Sequence, residues 1–168
     1  LMKDTDPKTA LVVCGSCTID LPTYMEWDRT VLEYVADYAE YVSLHRYVGN
    51  WHNDSPDYLA VSNSIDKQIE EMDAVCRYVQ ARLRSKKRYY LCFDEWNVWY
   101  HFQKEGINPE KWTSPRAIEE EHYDGADALL VGCMINTLLR NADVVKIACL
   151  AQLVNTIAPI LTEPNGAA

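Results

Sequence analysis

Four short and nearly continuous apolar runs are spaced along the chain. Each is flanked by polar residues, which is the pattern of parallel strands that are covered on both faces. The runs predict strands at residues 10–14, 41–45, 89–93 and 144–150. All four have the length of a strand and are too short for a typical helix.

The segments between these runs carry apolar residues at helical spacing. Residues 23–39 form one such segment, and residues 124–140 form another. Between them, Ser55 and Pro56 offer an N-cap and a proline at the first helical position, and an apolar stripe continues to Val79. Strands and helices therefore alternate, apart from a long loop at residues 100–122, and this order predicts an α/β fold with a parallel sheet.

Composition and charge exclude several classes of function. The 168 residues suffice for one domain, and the net charge of −9 is spread along the chain, which disfavours a nucleic-acid partner. No apolar run approaches the ~18 residues of a membrane span, so no membrane association is expected. The first residues also lack the basic and apolar stretches of a signal peptide.

Six cysteines raise the question of a disulfide or a metal site. Cys14 and Cys17 have the CxxC spacing of a redox pair or of half a zinc site. A zinc site needs two further ligands, and the sequence contains no second CxxC and no HxxxH. We therefore expect no metal and interpret all six residues as reduced thiols, which favours a cytoplasmic location.

The densest polar and aromatic stretch, FDEWNVWY at residues 93–100, follows the third predicted strand. In parallel α/β folds, ligands bind at this carboxyl end of the sheet. Side chains alternate along a strand, so we expect Asp94 and Glu95 to face opposite ways, with only one directed into a central site. A lone carboxylate there is more often a cap or a salt-bridge partner. The flanking Trp96 and Trp99 nevertheless favour sugar binding, because flat apolar sugar faces pack on aromatic rings.

Two further polar groups follow predicted strands. His45 and Tyr47 lie two residues apart and so share a face of an extended segment, and Gln152 lies just past the last strand. Taken singly, each is more often a residue that makes a structural hydrogen bond. The carboxyl ends of parallel strands lie on one side of a sheet, so together these residues predict a polar, aromatic-walled pocket for a neutral polyol.

At these residues the sequence resembles the α-L-arabinofuranosidases of glycoside hydrolase family 51. The similarity covers nearly the whole chain and keeps the family's order. It is carried by CGS at 14–16, the stretch at 41–50, the motif at 93–100, DALLVG at 127–132 and the stretch at 146–159. DEWNVWY, followed about fifty residues later by IACLAQLVN, is a highly specific combination.

The resemblance implies a partial TIM (β/α)8 barrel of about four β/α units, strands five to eight. It implies a retaining enzyme that needs no cofactor and releases terminal α-L-arabinofuranosyl groups from arabinan, arabinoxylan and related oligosaccharides. On this mapping Glu95 is the catalytic nucleophile, Tyr47 donates a hydrogen bond to it, and His45 is a pocket histidine. Trp99 and Gln152 match positions that contact the sugar. Many family members are intracellular homo-oligomers.

The resemblance also implies what these residues do not include. Retaining hydrolysis needs two carboxyl groups ~5–5.5 Å apart, and the family's acid/base is a glutamate in an Asn-Glu pair on strand four. The sequence contains no Asn-Glu dipeptide. We therefore expect residues 1–168 to be a single incomplete fragment of the catalytic barrel, without the N-terminal half barrel or the C-terminal β-sandwich, and to be inactive alone.

Two other interpretations remain open on the sequence. One is another retaining barrel glycosidase, an endoglucanase or a β-xylosidase, which a glutamate on strand seven does not distinguish from an arabinofuranosidase. The other is a catalytically silent structural or assembly fragment, which the missing acid/base favours. The joint presence of Glu95, Tyr47, Trp99 and Gln152 instead favours a piece of an active enzyme.

Overall fold

The chain folds into alternating strands and helices in the computed structural model, which describes residues 1–101, 121–162 and 166. A short helix near the start precedes the first strand, and a strand ends the series. The described elements are α1 (Met2–Thr5), β1 (Val12–Val13), α2 (Glu26–Val35), β2 (Tyr41–Val48), α3 (Ser55–Arg82), β3 (Tyr90–Val98), α4 (Gly125–Arg140) and β4 (Val145–Leu150).

These four strands form one parallel sheet in which they lie side by side in sequence order. The α/β fold with a parallel sheet predicted from the apolar runs is therefore confirmed. Sequential order arises when each connection returns the chain in the same direction, so that every new strand adds to the same edge. Because all three strand pairs are parallel, the carboxyl ends of the strands lie along one side of the sheet.

Two strands extend further than the apolar runs predict. β2 continues to Val48 and β3 continues to Val98, because Tyr47 pairs with Asn97 and Val48 pairs with Val98. Backbone pairing between neighbouring strands sustains these extensions, even where the side chains are polar. The motif at 93–100 therefore lies largely within β3 rather than beyond its end.

The predicted helices are present, with small differences at their ends. α2 covers Glu26–Val35 rather than residues 23–39. The N-cap of α3 is Asp54 rather than Ser55, because the Asp54 carboxylate accepts the Asp57 amide at 3.1 Å. The loop predicted at 100–122 lies mostly outside the described residues.

One face of the sheet packs against the helices and forms the core. Val42 and Leu44 of β2 are 1% and 0% exposed, and Leu91 and Phe93 of β3 are 1% and 0% exposed. Alternation along β2 turns the intervening side chains to the opposite face. The helices supply Leu32, Ile65, Ile69, Met72, Leu130 and Met134 to the same core.

Three observations bear on the classes that the sequence disfavours. None of the described helices has the length and apolarity needed to cross a bilayer. Within residues 1–101 and 121–162, no group of three or more His, Cys, Asp or Glu side chains is arranged to hold a metal ion. All six cysteines, including Cys14 and Cys17, are free thiols.

The segment after β1 packs very closely against the backbone of β2. A Cβ atom added at Gly15 would lie 2.0 Å from the Ser43 carbonyl oxygen. Asp28, which is 1% exposed, holds the segment by accepting the Ser16 amide at 2.7 Å and the Ser16 hydroxyl at 2.6 Å. Asp28 also accepts the Met25 amide at 3.0 Å, which ties the same segment to the start of α2.

We expect Gly15→Ala to lower the free energy of unfolding by ~1–3 kcal/mol, because the added methyl group must displace the backbone of β2. Gly132→Ala is the matched control. Nothing lies within 4 Å of its added Cβ, and alanine stabilises a helix by about 1 kcal/mol relative to glycine. Chemical denaturation measures both effects. A Gly15→Ala variant as stable as the parent would contradict the close packing of Gly15 against β2.

Candidate active site

β2 presents three polar side chains in alternation. Ser43, His45 and Tyr47 are two residues apart, so the pleat turns them to the face opposite the helices. Gln68 of α3, which is 1% exposed, donates to the His45 carbonyl oxygen at 3.2 Å and holds the strand from the helical side. β2 therefore places a hydroxyl, an imidazole and a phenol in one row on the sheet face opposite the helices, here called the open face.

An irregularity in β3 changes the alternation at the two carboxylates. Ser43 pairs with Cys92 and His45 pairs with Glu95, so β3 has one residue more than β2 between the two pairs. A β-bulge of this kind re-aims the side chains next to it. Asp94 and Glu95 consequently both approach His45. The expectation that they face opposite ways is wrong.

Glu95 has two neighbours on β2. The Tyr47 hydroxyl donates to Glu95 Oε2 at 3.2 Å, and Nδ1 of His45 lies 3.6 Å from the same oxygen. The second distance is that of an ion pair rather than of a hydrogen bond. Both contacts fall on Oε2. Among the described residues, none donates a hydrogen bond to Oε1.

Asp94 lies on the other side of the imidazole. The Ser43 hydroxyl donates to Asp94 Oδ1 at 2.7 Å and lies 3.2 Å from Nε2 of His45. The same Asp94 oxygen is 3.5 Å from Nε2. His45 thus lies between two carboxylates, with a different ring nitrogen toward each.

These side chains line an open cavity of about 320 Å³. Ser43, His45, Asp94 and Glu95 form its polar side. Its remaining wall consists of Val12, Val13 and Cys14, from β1 and the residue that follows it. The volume is at the lower end of the range for small-molecule sites, and the polar groups converge on one side of it.

Burial raises the pKa of Tyr47 to about 12, and the negative charge of Glu95 and the hydrogen bond to it act in the same direction. The phenol therefore keeps its proton at neutral pH and remains a donor to Glu95. The ring of Trp99 packs edge-on against Tyr47, with ring centroids 5.2 Å apart and ring planes at 70°. This contact fixes the Tyr47 ring beside Glu95.

The two tryptophans of the motif occupy different environments. Trp96 is 5% exposed and belongs to the core, so the interpretation of both tryptophans as sugar-facing is wrong for Trp96. Its pairing between Arg46 and Leu150 buries it within the sheet. Trp99 is partly exposed, and its indole Nε1 is buried without a hydrogen-bond partner among the described residues.

Gln152 is exposed just beyond the end of β4. Its backbone amide donates to the Ile157 carbonyl oxygen at 3.0 Å, which closes a loop at residues 152–157. Within the described part of the chain, its side chain makes no hydrogen bond to Glu95, His45 or Tyr47. The structure therefore brings Glu95, His45 and Tyr47 together but does not join Gln152 to them.

Asn97 is a residue of this region that the sequence analysis missed. It is 3% exposed, and its side-chain amide donates to the carbonyl oxygens of Ala151 at 2.6 Å and Ile157 at 2.7 Å. Asn97 thereby fixes both ends of the loop that carries Gln152. An asparagine between aromatic and apolar residues is the signal that could have identified it, because a buried amide needs hydrogen-bond partners.

The family model described as "Alpha-L-arabinofuranosidase C-terminal domain" matches residues 94–168. This chain is also 52% identical over 170 residues to an intracellular exo-α-(1→5)-L-arabinofuranosidase from Acetivibrio thermocellus. It is 49% identical over 168 residues to intracellular exo-α-(1→5)-L-arabinofuranosidase 1 from Bacillus subtilis. These alignments cover 99% and 100% of this chain.

Among solved structures, the chain is similar to a family 51 α-L-arabinofuranosidase from Bifidobacterium longum, with a TM-score of 0.88 and 33% identity. That alignment covers 96% of this chain and 33% of the solved chain. The chain likewise spans about a third of the length of the curated relatives from A. thermocellus and B. subtilis, 34% of each.

We expect Glu95→Gln to lower the pKa of Tyr47 from about 12 toward its ordinary value, because the substitution removes the negative charge beside the phenol. The shift should be partial, since burial is the larger cause and remains. NMR titration of tyrosine labelled at Cζ measures it. The matched control, Glu70→Gln on the exposed side of α3, should leave this pKa unchanged. A Tyr47 pKa that did not fall in Glu95→Gln would contradict the contact.

We expect Asn97→Ala to accelerate amide hydrogen exchange at residues 152–157, because the carbonyl oxygens of Ala151 and Ile157 lose the hydrogen bonds from the Asn97 amide. The free energy of unfolding should fall by ~1–3 kcal/mol. Hydrogen exchange followed by mass spectrometry measures the first effect, with Asn63→Ala on the exposed side of α3 as the matched control. Equal exchange of this loop in both variants would show that Asn97 does not hold it.

Proposed function

Because this chain belongs to the α-L-arabinofuranosidases of glycoside hydrolase family 51, we propose that its cluster around Glu95 is one half of the active centre of a retaining glycosidase. The substrate is a terminal α-L-arabinofuranosyl group of arabinan, arabinoxylan or a related glycan. The names of the relatives, exo-acting α-L-arabinofuranosidases, support this substrate class. The observation that carries the proposal is the hydrogen bond from Tyr47 to Glu95.

In this proposal Glu95 is the nucleophile of a double displacement. Tyr47 and His45 both approach Oε2, which leaves Oε1 to attack the anomeric carbon. The bond to the glycosidic oxygen breaks as the new bond forms, and a second carboxyl group protonates the leaving oxygen. Water then attacks the same carbon, gives its proton to that second group and releases Glu95 as a carboxylate.

Tyr47 and His45 keep Glu95 ready for the attack. A donor to a carboxylate favours the charged form, and the pKa of Tyr47, raised to about 12 by burial and by Glu95, keeps the phenol protonated. His45 offers a second ring nitrogen at 3.6 Å. The nucleophile is therefore held in one orientation before the sugar arrives.

Trp99 and Gln152 are the proposed sugar-contacting residues. The partly exposed Trp99 ring offers an apolar surface beside Tyr47 on which a sugar face can pack. Gln152 is exposed at the carboxyl side of the sheet, where its amide can both donate and accept.

The proposed setting is a (β/α)8 barrel in which this chain supplies strands five to eight. Four parallel strands in sequence order support this placement, and a complete barrel needs ~250 residues. The sequence has no Asn-Glu pair, so we propose that the acid/base glutamate and the rest of the barrel come from sequence outside residues 1–168. The isolated chain should then be inactive.

The complete enzyme is proposed to be a cytoplasmic homo-oligomer that acts on arabinose-containing oligosaccharides without a metal or an organic cofactor. The word "intracellular" in the names of the two curated relatives supports the location. The chemistry supports the absence of a cofactor, because two carboxyl groups suffice for retaining hydrolysis.

A chimaera tests the role of Glu95. This chain replaces the matching 34% of the A. thermocellus relative, which places its residues in a complete enzyme. We expect hydrolysis of an aryl α-L-arabinofuranoside, and we expect Glu95→Gln to lower kcat by at least about 1000-fold, because an amide cannot form the covalent intermediate. Glu70→Gln is the matched control and should leave kcat unchanged.

Azide provides the positive test. In a Glu95→Ala chimaera, azide should restore turnover and yield the arabinofuranosyl azide of inverted configuration, because it enters from the side that the carboxylate has vacated. Retention of activity in Glu95→Gln, or no rescue by azide, would contradict the nucleophile assignment. Faster turnover of an aryl β-xyloside or β-glucoside would favour another retaining glycosidase.

A further inference from the structure

His45 is held from two sides, and the proposed mechanism uses only one of them. Nδ1 faces Glu95 Oε2 at 3.6 Å, whereas Nε2 lies 3.5 Å from Asp94 Oδ1 and 3.2 Å from the Ser43 hydroxyl. Asp94 thus approaches a different ring nitrogen from the carboxylate proposed to react, and its side chain is 35% exposed on the same open face. A charged group in this position requires an explanation of its own.

The direction of the Ser43 hydrogen bond decides where the protons lie. The hydroxyl donates to Asp94 Oδ1 at 2.7 Å, the short distance of a bond to a carboxylate. With its proton committed to Asp94, the Ser43 oxygen is left to accept from Nε2 of His45. The same commitment excludes Ser43 as a nucleophile activated by His45, because the imidazole then donates to the hydroxyl instead of removing its proton.

We propose that Asp94 is a positioning residue that, directly and through Ser43, keeps a proton on Nε2 of His45 and so presents Nδ1 to Glu95. The proposal rests on the function assigned to Glu95 for its effect on the reaction, but not for the state of the ring. The two carboxylates act on opposite nitrogens, so Asp94 orients the imidazole from the side away from Glu95.

The consequence for the reaction concerns the second step. Glu95 is neutral while it carries the sugar as an ester and regains its charge as the sugar leaves. A ring held by Asp94 and Ser43 keeps one orientation while the charge on Glu95 changes, so the arrangement beside Oε2 does not have to form again when the carboxylate returns.

The β-bulge makes this arrangement possible. In a regular strand, adjacent residues point to opposite faces, and Asp94 would be buried among the helices when Glu95 faced His45. The extra residue of β3 opposite Ser43 and His45 lets both carboxylates reach one imidazole. The bulge and the Asp94 contact are therefore parts of one feature.

The state of the ring is measured by ¹⁵N NMR of the 168-residue chain with labelled histidine. His45→Gln identifies the His45 signals among the four histidines. We expect Nε2 to carry a proton in the parent. In Asp94→Asn we expect Nε2 to lose that proton and to accept instead, because the asparagine amide can donate to it. Asp143→Asn, which removes an exposed carboxylate, should change neither nitrogen.

An unprotonated Nε2 in the parent chain would overturn the proposal. So would an unchanged His45 ring in Asp94→Asn. Ser43→Ala separates the two routes. A partial loss of the Nε2 proton is the expected result, because Asp94 Oδ1 still lies 3.5 Å away, and a ring unaffected by Ser43→Ala would remove the hydroxyl from the pathway.

The effect on catalysis is measured in the chimaera. We expect Asp94→Asn to lower kcat on the order of tenfold, the effect of losing one charge-assisted hydrogen bond, with KM little changed. In a His45→Gln background, Asp94→Asn should have no further effect, because it acts through that ring. A purely structural role predicts instead that the two losses multiply, and that result would contradict positioning.

The two proposals fail in different ways. A chimaera that keeps its activity in Glu95→Gln would refute the proposed nucleophile and leave the ring measurement valid, because that measurement needs no turnover. The activity of the chimaera could depend on Glu95 while the protonation of the His45 ring stays unchanged in Asp94→Asn. That result would refute only the positioning role of Asp94.

Discussion

The β-bulge between β2 and β3 is the constraint on which the candidate site depends. It inserts one residue of β3 between the pairs Ser43–Cys92 and His45–Glu95. Leu91 and Phe93 point into the core, as alternation requires. Asp94 and Glu95, the next two residues, both reach the open face. A single extra residue thus lets a strand that anchors the core also present two carboxylates to one imidazole.

Three polar side chains hold the backbone near the bulge. Asp28 holds the segment that lies against Ser43, and Gln68 holds the backbone of His45 from the helical side. Asn97 connects the end of β3 to the loop after β4. Each of these polar side chains is nearly fully buried and hydrogen-bonded to the backbone. Such contacts are costly to break, so they hold the side chains of the candidate site in place.

The sequence predicts the strands and helices well, because the burial of apolar runs determines them. The parallel α/β fold, the helices α3 and α4, and the carboxyl side of the sheet as the location of the site all follow from apolar spacing. Tyr47 reaches Glu95 because of the register between β2 and β3, and that register is seen only once the strands are paired. Periodicity assumes a regular strand, so the bulge and the position of Asp94 could not be predicted. Trp96 and Asn97 differ from expectation because the backbone ladder, not hydrophobicity, extends β3 to Val98.

Glu95, and not its neighbour Asp94, is proposed to form the bond to the sugar. The most direct measurement is peptide mapping by mass spectrometry of the chimaera, quenched with acid during turnover of an activated 2-fluoro arabinofuranoside that accumulates the covalent intermediate. We expect a fluorinated pentosyl ester on Glu95, in the peptide that contains residues 93–100. An ester on Asp94, or no covalent adduct at all while the substrate is consumed, would contradict it.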